Sequence, residues 1–139
     1  MADDVLLNKA ATIERCVARA REEYNADPAN FATNYTRQDA AILNIQRACE
    51  AALDMGNHVI RRDRLGITQS SRDVFSLLES AGRIDAVTAE AMRRMVGFRN
   101  VAVHEYQALV LPITVNIITQ YLDDFLRYSK ALLRNQRPS

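Results

Sequence analysis

Apolar residues recur at alternating three- and four-residue steps along most of this 139-residue chain, the spacing that lays a stripe down one side of an α-helix. Leu6, Ala10, Ile13, Val17, Ala20 and Tyr24 predict a first helix over about residues 3–26, with Asp3 and Asp4 suited to its positive end. Pro28 and Asn30 mark the exit. Thr36 and Asp39 resemble a capping box and place the start of a second helix near Thr36. Ile42, Ile45, Cys49, Ala52 and Val59 continue the rhythm to an end near Arg61. Gly56 falls on this stripe, where the missing side chain lets a neighbouring helix come close.

Beyond Gly66, Ser70 or Ser71 is placed to cap a short helix carrying Val74, Phe75, Leu77 and Leu78, stopped by Gly82. A further helix is expected from near Thr88, with Ala91, Met92, Met95, Val96 and Phe98. Pro112 is expected in the first turn of a last helix, whose stripe is Val115, Ile118, Leu122, Phe125 and Leu132. Four long amphipathic helices and one short one predict an all-α fold: an antiparallel four-helix bundle with an additional short helix, in one domain spanning residues 1–139. No internal repeat, low-complexity stretch or linker divides it.

Composition narrows the class without naming a function. The formal net charge is +1, so no global signature for nucleic acid or membrane exists. Locally, Arg61, Arg62, Arg64 and Arg72 face Asp63 alone, and Arg83, Arg93, Arg94 and Arg99 face Asp85 and Glu90. Solvated surface arginines are the ordinary reading of such runs. Cys16 and Cys49 sit in helical patterns without metal-ligand spacing and read as buried thiols of a reducing, cytoplasmic compartment. The acidic start, MADDVLLNKA, is no signal peptide, and no apolar run is long enough to span a membrane. His58 follows Asp54 and Glu50 at four-residue steps, but this stripe lacks the inward Glu-x-x-His pairs of carboxylate-bridged bundles and reads as solvated surface. No metal and no cofactor are expected.

Candidate chemistry gathers in Arg99-Asn100-Val101-Ala102-Val103-His104-Glu105-Tyr106, which holds one of the chain's two histidines. An imidazole with a pKa near 6.5 can accept or donate a proton at neutral pH. A guanidinium offers a planar fork of donors to a charged phosphorus centre. Together they suit metal-free cleavage of RNA, with His104 acting on the ribose 2′-hydroxyl or the leaving oxygen, Arg99 on the phosphate and Asn100 as an orienting group. Arg93 and Arg94 are candidate RNA contacts. In an unbroken helix, however, Arg99 and His104 stand about 140° apart. Either the helix breaks after Arg99, or a second copy of the chain supplies the missing partner across a symmetric dimer. Two blander readings stay open at this point: a helical substrate- or nucleotide-binding subunit of a nucleotidyltransferase, and a structural bundle whose Arg99, His104 and Tyr106 meet unrelated neighbours.

MVGFRNVAVHEY, residues 95–106, resembles the signature of the HepT-like toxins within the HEPN superfamily: arginine, a polar residue, three more, histidine, one residue, tyrosine. DAAILNIQRACEAALDMGNHVI (39–60) and SSRDVFSLLESAGRI (70–84) are similar to the family's second and third helices. The resemblance implies a HEPN-like bundle, a homodimer and a metal-independent endoribonuclease toxin acting on RNA. It also implies a minimal nucleotidyltransferase antitoxin of the MntA type, which silences the toxin by transferring AMP to the motif tyrosine, here Tyr106.

Overall fold

The Asp3 carboxylate accepts hydrogen bonds from the backbone N–H groups of Val5 and Leu6 and so caps α1, Asp4–Asn25. This computed structural model describes the backbone of residues 3–104 and 107–134, and the side chains of residues 3–99 and 111–134. Leu6, Ala10, Ile13, Val17 and Ala20 are buried as their spacing predicts, joined by Cys16. A short 3₁₀ segment, Pro28–Thr33, turns the chain. The buried Gln38 side chain donates to the Phe31 carbonyl at 2.8 Å and ties this turn to the next helix.

Helix α2, Tyr35–Asp63, begins one residue ahead of Thr36. Asn34, in extended backbone, takes the cap instead and accepts from the Arg37 N–H at 3.1 Å. At its far end Arg64 adopts a left-handed φ of 54° and its N–H closes on the Ile60 carbonyl, a position usually given to glycine. Three salt bridges fix the α1–α2 pair as antiparallel: Arg37 to Glu23 at one end, Lys9 to Asp54 at 3.0 Å in the middle, and Arg62 to Asp3 at 2.9 Å at the other.

Helix α3, Ser71–Ser80, is capped by Ser70, and Gly82 follows with a φ of +74°. Helix α4, Ala86–His104, starts two residues before Thr88, because Asp85 Oδ1 accepts from the Thr88 N–H and takes the capping role. The last helix departs from expectation. It is divided into α5 (Gln107–Asn116), a π-helical turn (Ile117–Tyr121) and α6 (Asp123–Arg134), with Pro112 inside α5 and not in a first turn. Proline has no N–H to donate, and the wide turn shifts the register downstream of it. The Thr119 hydroxyl donates to the Val115 carbonyl at 2.8 Å within this irregular stretch. Ile118, Leu122, Phe125 and Leu132 are buried all the same. The described residues thus form an all-α antiparallel bundle of α1, α2, α4 and α5–α6, with α3 lying against α2 and α4.

Helix α2 lies at the centre. The buried Tyr128 of α6 donates its hydroxyl to the Ala52 carbonyl at 2.7 Å and meets Phe75 of α3 edge-on, centroids 5.6 Å apart. Gly56 makes this approach possible: a Cβ there would stand 2.4 Å from Val74 Cγ1 and 2.7 Å from the Tyr128 hydroxyl. Gly56→Ala gains about 1 kcal/mol of helix propensity, but overpacking costs about 1–3 kcal/mol and disturbing a buried hydrogen bond costs about 1–3 kcal/mol more. The variant should be net destabilised by at least about 1 kcal/mol, read as a lowered denaturation midpoint in urea.

Candidate functional site

The core-facing stripe of α4 runs Met92, Met95, Val96, and its next step is Arg99. The aliphatic stem of Arg99 therefore follows the buried side of the helix while its guanidinium reaches the edge, where the side chain is 20% exposed. Arg99 Nη1 lies 2.6 Å from Glu50 Oε1 of α2, and Nη2 donates to Ser71 Oγ of α3 at 3.3 Å. One guanidinium thus bridges three helices. Neighbouring contacts hold the same junction: the Cys49 thiol donates to the Met95 carbonyl at 3.6 Å. Burial pushes that thiol's pKa up to about 12, so it stays protonated and serves as packing, not as a nucleophile.

A second guanidinium sits close by. Arg72 lies over Gly97, where a Cβ would meet its Nη2 at 3.4 Å. Ser71, beside it in the chain, also lines a polar cavity of about 330 Å³ with Leu53, Asn57, Thr68, Gln69, Ser70 and Val74. Glu50 and Ser71 as partners of Arg99 were not legible in the sequence. Both look like ordinary helix-surface residues until α2 and α3 are docked on α4.

Helix α4 continues without a break from Arg99 through His104, which excludes the first of the two arrangements left open by the sequence, a break after Arg99. The unbroken register separates positions 99 and 104 by about 140°. The side chains of Asn100 and His104, and all of Tyr106, lie outside the described residues. Arg93 and Arg94 diverge, as consecutive helical positions must. Arg93 is tied to Glu90 at 3.1 Å and to Ser76 and Glu79 of α3. Arg94 points outward, 71% exposed, at the rim of an apolar groove formed by Met95 and Phe98 of α4 with Ile113, Ile117 and Tyr121.

The stripe Glu50, Asp54, His58 is a solvated face, with Glu50 and Asp54 exposed, and its groups are paired. Glu50 meets Arg99, Asp54 meets Lys9, and His58 Nε2 lies 2.7 Å from Asp3 Oδ2. Antiparallel docking of α1 brings its polar residues opposite the stripe. Among the described residues no cluster of three or more metal-ligating side chains occurs, and no helix is long and apolar enough to cross a membrane. The same pairing extends through Arg62 to Asp63, which also accepts from Arg83. Hydrogen bonding from Arg62, opposed by partial burial and aided by Arg83, lowers the Asp63 pKa to about 2. For Asp3, burial works upward, but hydrogen bonds from His58 and Arg62 and from the Leu6 N–H bring the net shift downward.

The fold defines a class, the all-helical HEPN bundle. Residues 13–132 match the family described as ribonuclease HepT-like. The chain is 44% identical over 126 residues to an mRNA nuclease HepT of Shewanella oneidensis, covering 91% of this chain and 94% of that protein. Among solved structures, it superposes with a TM-score of 0.88 on a toxin–antitoxin crystallised with AMP-PNP, at 42% identity, covering 94% of this chain and 98% of the other. It superposes equally, at 43% identity and 94% and 97% coverage, on the tri-AMPylated Shewanella oneidensis HEPN toxin in complex with MNT antitoxin. The chain belongs to the ribonuclease HepT-like family, and its activity is that of an endoribonuclease.

The ion pairs also set the acid response. A carboxylate whose folded pKa lies below the usual value of about 3.9 contributes stability that is complete above that value and is lost as pH falls through the folded pKa. Urea midpoints should therefore fall between about pH 4 and the Asp63 pKa of about 2. In Asp63→Asn the midpoint should be lower at pH 7 and should fall less steeply over that window.

Proposed function

We propose that the chain is the toxin of a toxin–antitoxin pair and that it cuts RNA without a metal, through Arg99 and His104 of two protomers meeting in one cleft. The unbroken course of α4 carries this reading. A straight helix directs positions 99 and 104 apart, so one phosphodiester is reached by both only when a second copy of α4 crosses near the first. Arg99, held by Glu50 and Ser71, is already ordered for a phosphate oxygen, which reduces the entropy lost on binding.

In the cleavage step His104 removes the proton of a ribose 2′-hydroxyl as that oxygen bonds to the adjacent phosphorus. The bond from phosphorus to the 5′-oxygen breaks, and an imidazolium of the cleft protonates the departing oxygen. The products are a 2′,3′-cyclic phosphate and a 5′-hydroxyl. Arg99 stabilises the charge that builds on the phosphorane oxygens, and Asn100 orients the reacting groups. Arg94, 71% exposed and paired only loosely with Glu90 at 3.5 Å, contacts the RNA backbone more readily than Arg93, which is more buried and held by both Glu79 and Glu90. The substrate class is RNA, messenger RNA included, as the relative's name supports. The partner is an MntA-type nucleotidyltransferase antitoxin, and the silencing reaction is transfer of AMP from ATP to the Tyr106 hydroxyl, supported by the AMPylated relative in its complex. A phosphate on Tyr106 competes with RNA for the arginine. The compartment is the cytoplasm, where both RNA and ATP are present.

His104→Ala should abolish cleavage of RNA by purified protein while leaving a folded dimer, and excess EDTA should leave the parent's rate unchanged. Retained cleavage in the variant overturns the assignment. Loss of activity in EDTA, restored by Mg²⁺, overturns the metal-free mechanism. Mixing Arg99→Ala with His104→Ala under subunit-exchange conditions should recover part of the activity neither has alone; no recovery would place both groups in the same protomer's site. Co-expression with the antitoxin should add whole AMP units to the intact mass, and Tyr106→Phe should lose them.

A further inference from the structure

The polar cavity beside Arg99 has no part in the cleavage step, yet its chemistry is specific. Its floor is apolar, Leu53 of α2 and Val74 of α3, both buried. Its rim is polar: Asn57 of α2, then Thr68, Gln69, Ser70 and Ser71 at the approach to α3. Among the described residues the side-chain amides of Asn57 and Gln69 make no hydrogen bond, although Gln69 is held in place through its backbone N–H, which donates to Asp73 Oδ2 at 2.9 Å. The volume, about 330 Å³, lies at the small end of ligand pockets and suits one planar group, not a large cofactor.

Position makes the cavity relevant to RNA. Ser71 belongs to both features: it lines the cavity and its hydroxyl receives Arg99 Nη2. Along α2, Glu50 on the guanidinium is followed by Leu53 and Asn57 of the cavity on the same helical face. A phosphate at Arg99 therefore has the cavity as its immediate neighbour. The group attached to a phosphate through one ribose is a nucleobase, which has two apolar faces and an edge of donors and acceptors. RNA is read by sequence where single-stranded bases are splayed out and hydrogen-bonded along their edges, and a carboxamide, with donor and acceptor side by side, pairs with such edges.

We infer that the cavity between α2 and the start of α3 is a base-recognition subsite, in which Asn57 and Gln69 read a nucleobase flanking the phosphate held by Arg99. The inference rests on the assignment of Arg99 to the scissile phosphate and adds to it a source of sequence preference. The apolar floor packs against the base face and the two amides select its edge. Asn57 and Gln69 touch the bound nucleotide without entering the proton transfers, so their loss slows cleavage at the favoured linkage toward the rate of the others and leaves the chemistry itself in place.

The test uses the full chain and two readouts. In the first, an RNA pool randomised in sequence is cleaved and the cut positions are sequenced. The parent should prefer particular bases at one position flanking the cut. Asn57→Ala and Gln69→Ala should each flatten that preference by roughly tenfold, the scale of a good paired contact to a base, while still cutting the pool. An unchanged profile in both variants, or a parent with no preference at any flanking position, overturns the subsite. In the second, non-cleavable 2′-O-methyl oligonucleotides are titrated into the isotopically labelled parent. The side-chain amide resonances of Asn57 and Gln69 should move together with the Arg99 Nε–H. Movement of Arg99 without the amides overturns the subsite and leaves the cleft assignment standing. Movement of neither overturns both.

Discussion

The molecule depends on how closely α3 and α6 can approach α2 at Gly56. With no side chain there, Val74 and the Tyr128 hydroxyl occupy the space a methyl would take, and Tyr128 reaches the Ala52 carbonyl on the next turn. That contact sets the depth at which α3 rests on α2, and α3 carries Ser71 at its first turn. Glu50 lies on α2 less than two turns before Gly56. The two groups that hold Arg99 are thus positioned by the same packing that closes the core. A displaced α3 would separate Ser71 from the guanidinium and open the cavity beside it.

Electrostatics adds orientation more than stability. The Arg99–Glu50 pair is open to solvent on the carboxylate side, and such pairs contribute little net free energy. What the pair does is hold a long, flexible cation in one direction at the edge of the bundle. In the proposed cleavage it also places a negative charge beside the phosphate site, so an incoming phosphate would compete with Glu50 for the fork of donors. The Asp3–His58–Arg62–Asp63–Arg83 network plays the equivalent part at the other end of α2, joining the start of α1 to the turn ahead of α4.

Helix order and core are readable because the amphipathic period is a local property: Leu6 to Ala20, Ile45 to Val59 and Val74 to Leu78 each follow from spacing alone. The close approach at Gly56 was readable for the same reason, a missing side chain on an apolar stripe. Errors fell where two local solutions compete. Asn34 displaced Thr36 as the cap of α2 because both residue types cap helices and the extended backbone fell at Asn34. The pattern predicts a continuous last helix because its stripe survives the π-helical turn, where the Thr119 hydroxyl donates to the Val115 carbonyl.

By itself the sequence determined an all-helical bundle, singled out the run from Arg99 to Tyr106 as the candidate seat of its chemistry, and carried the family likeness of that run. These follow from side-chain type and from spacing within one element. Tertiary structure decided that Arg99 is held by Glu50 and Ser71, that the solvated Glu50–Asp54–His58 row is paired, that Arg93 reaches α3 while Arg94 stays exposed, and that α4 runs unbroken past Arg99. Each of these is a relation between residues of different helices, or a choice between helix and break that packing makes. A one-dimensional pattern holds the period of each helix but not the rotation and depth at which another helix meets it.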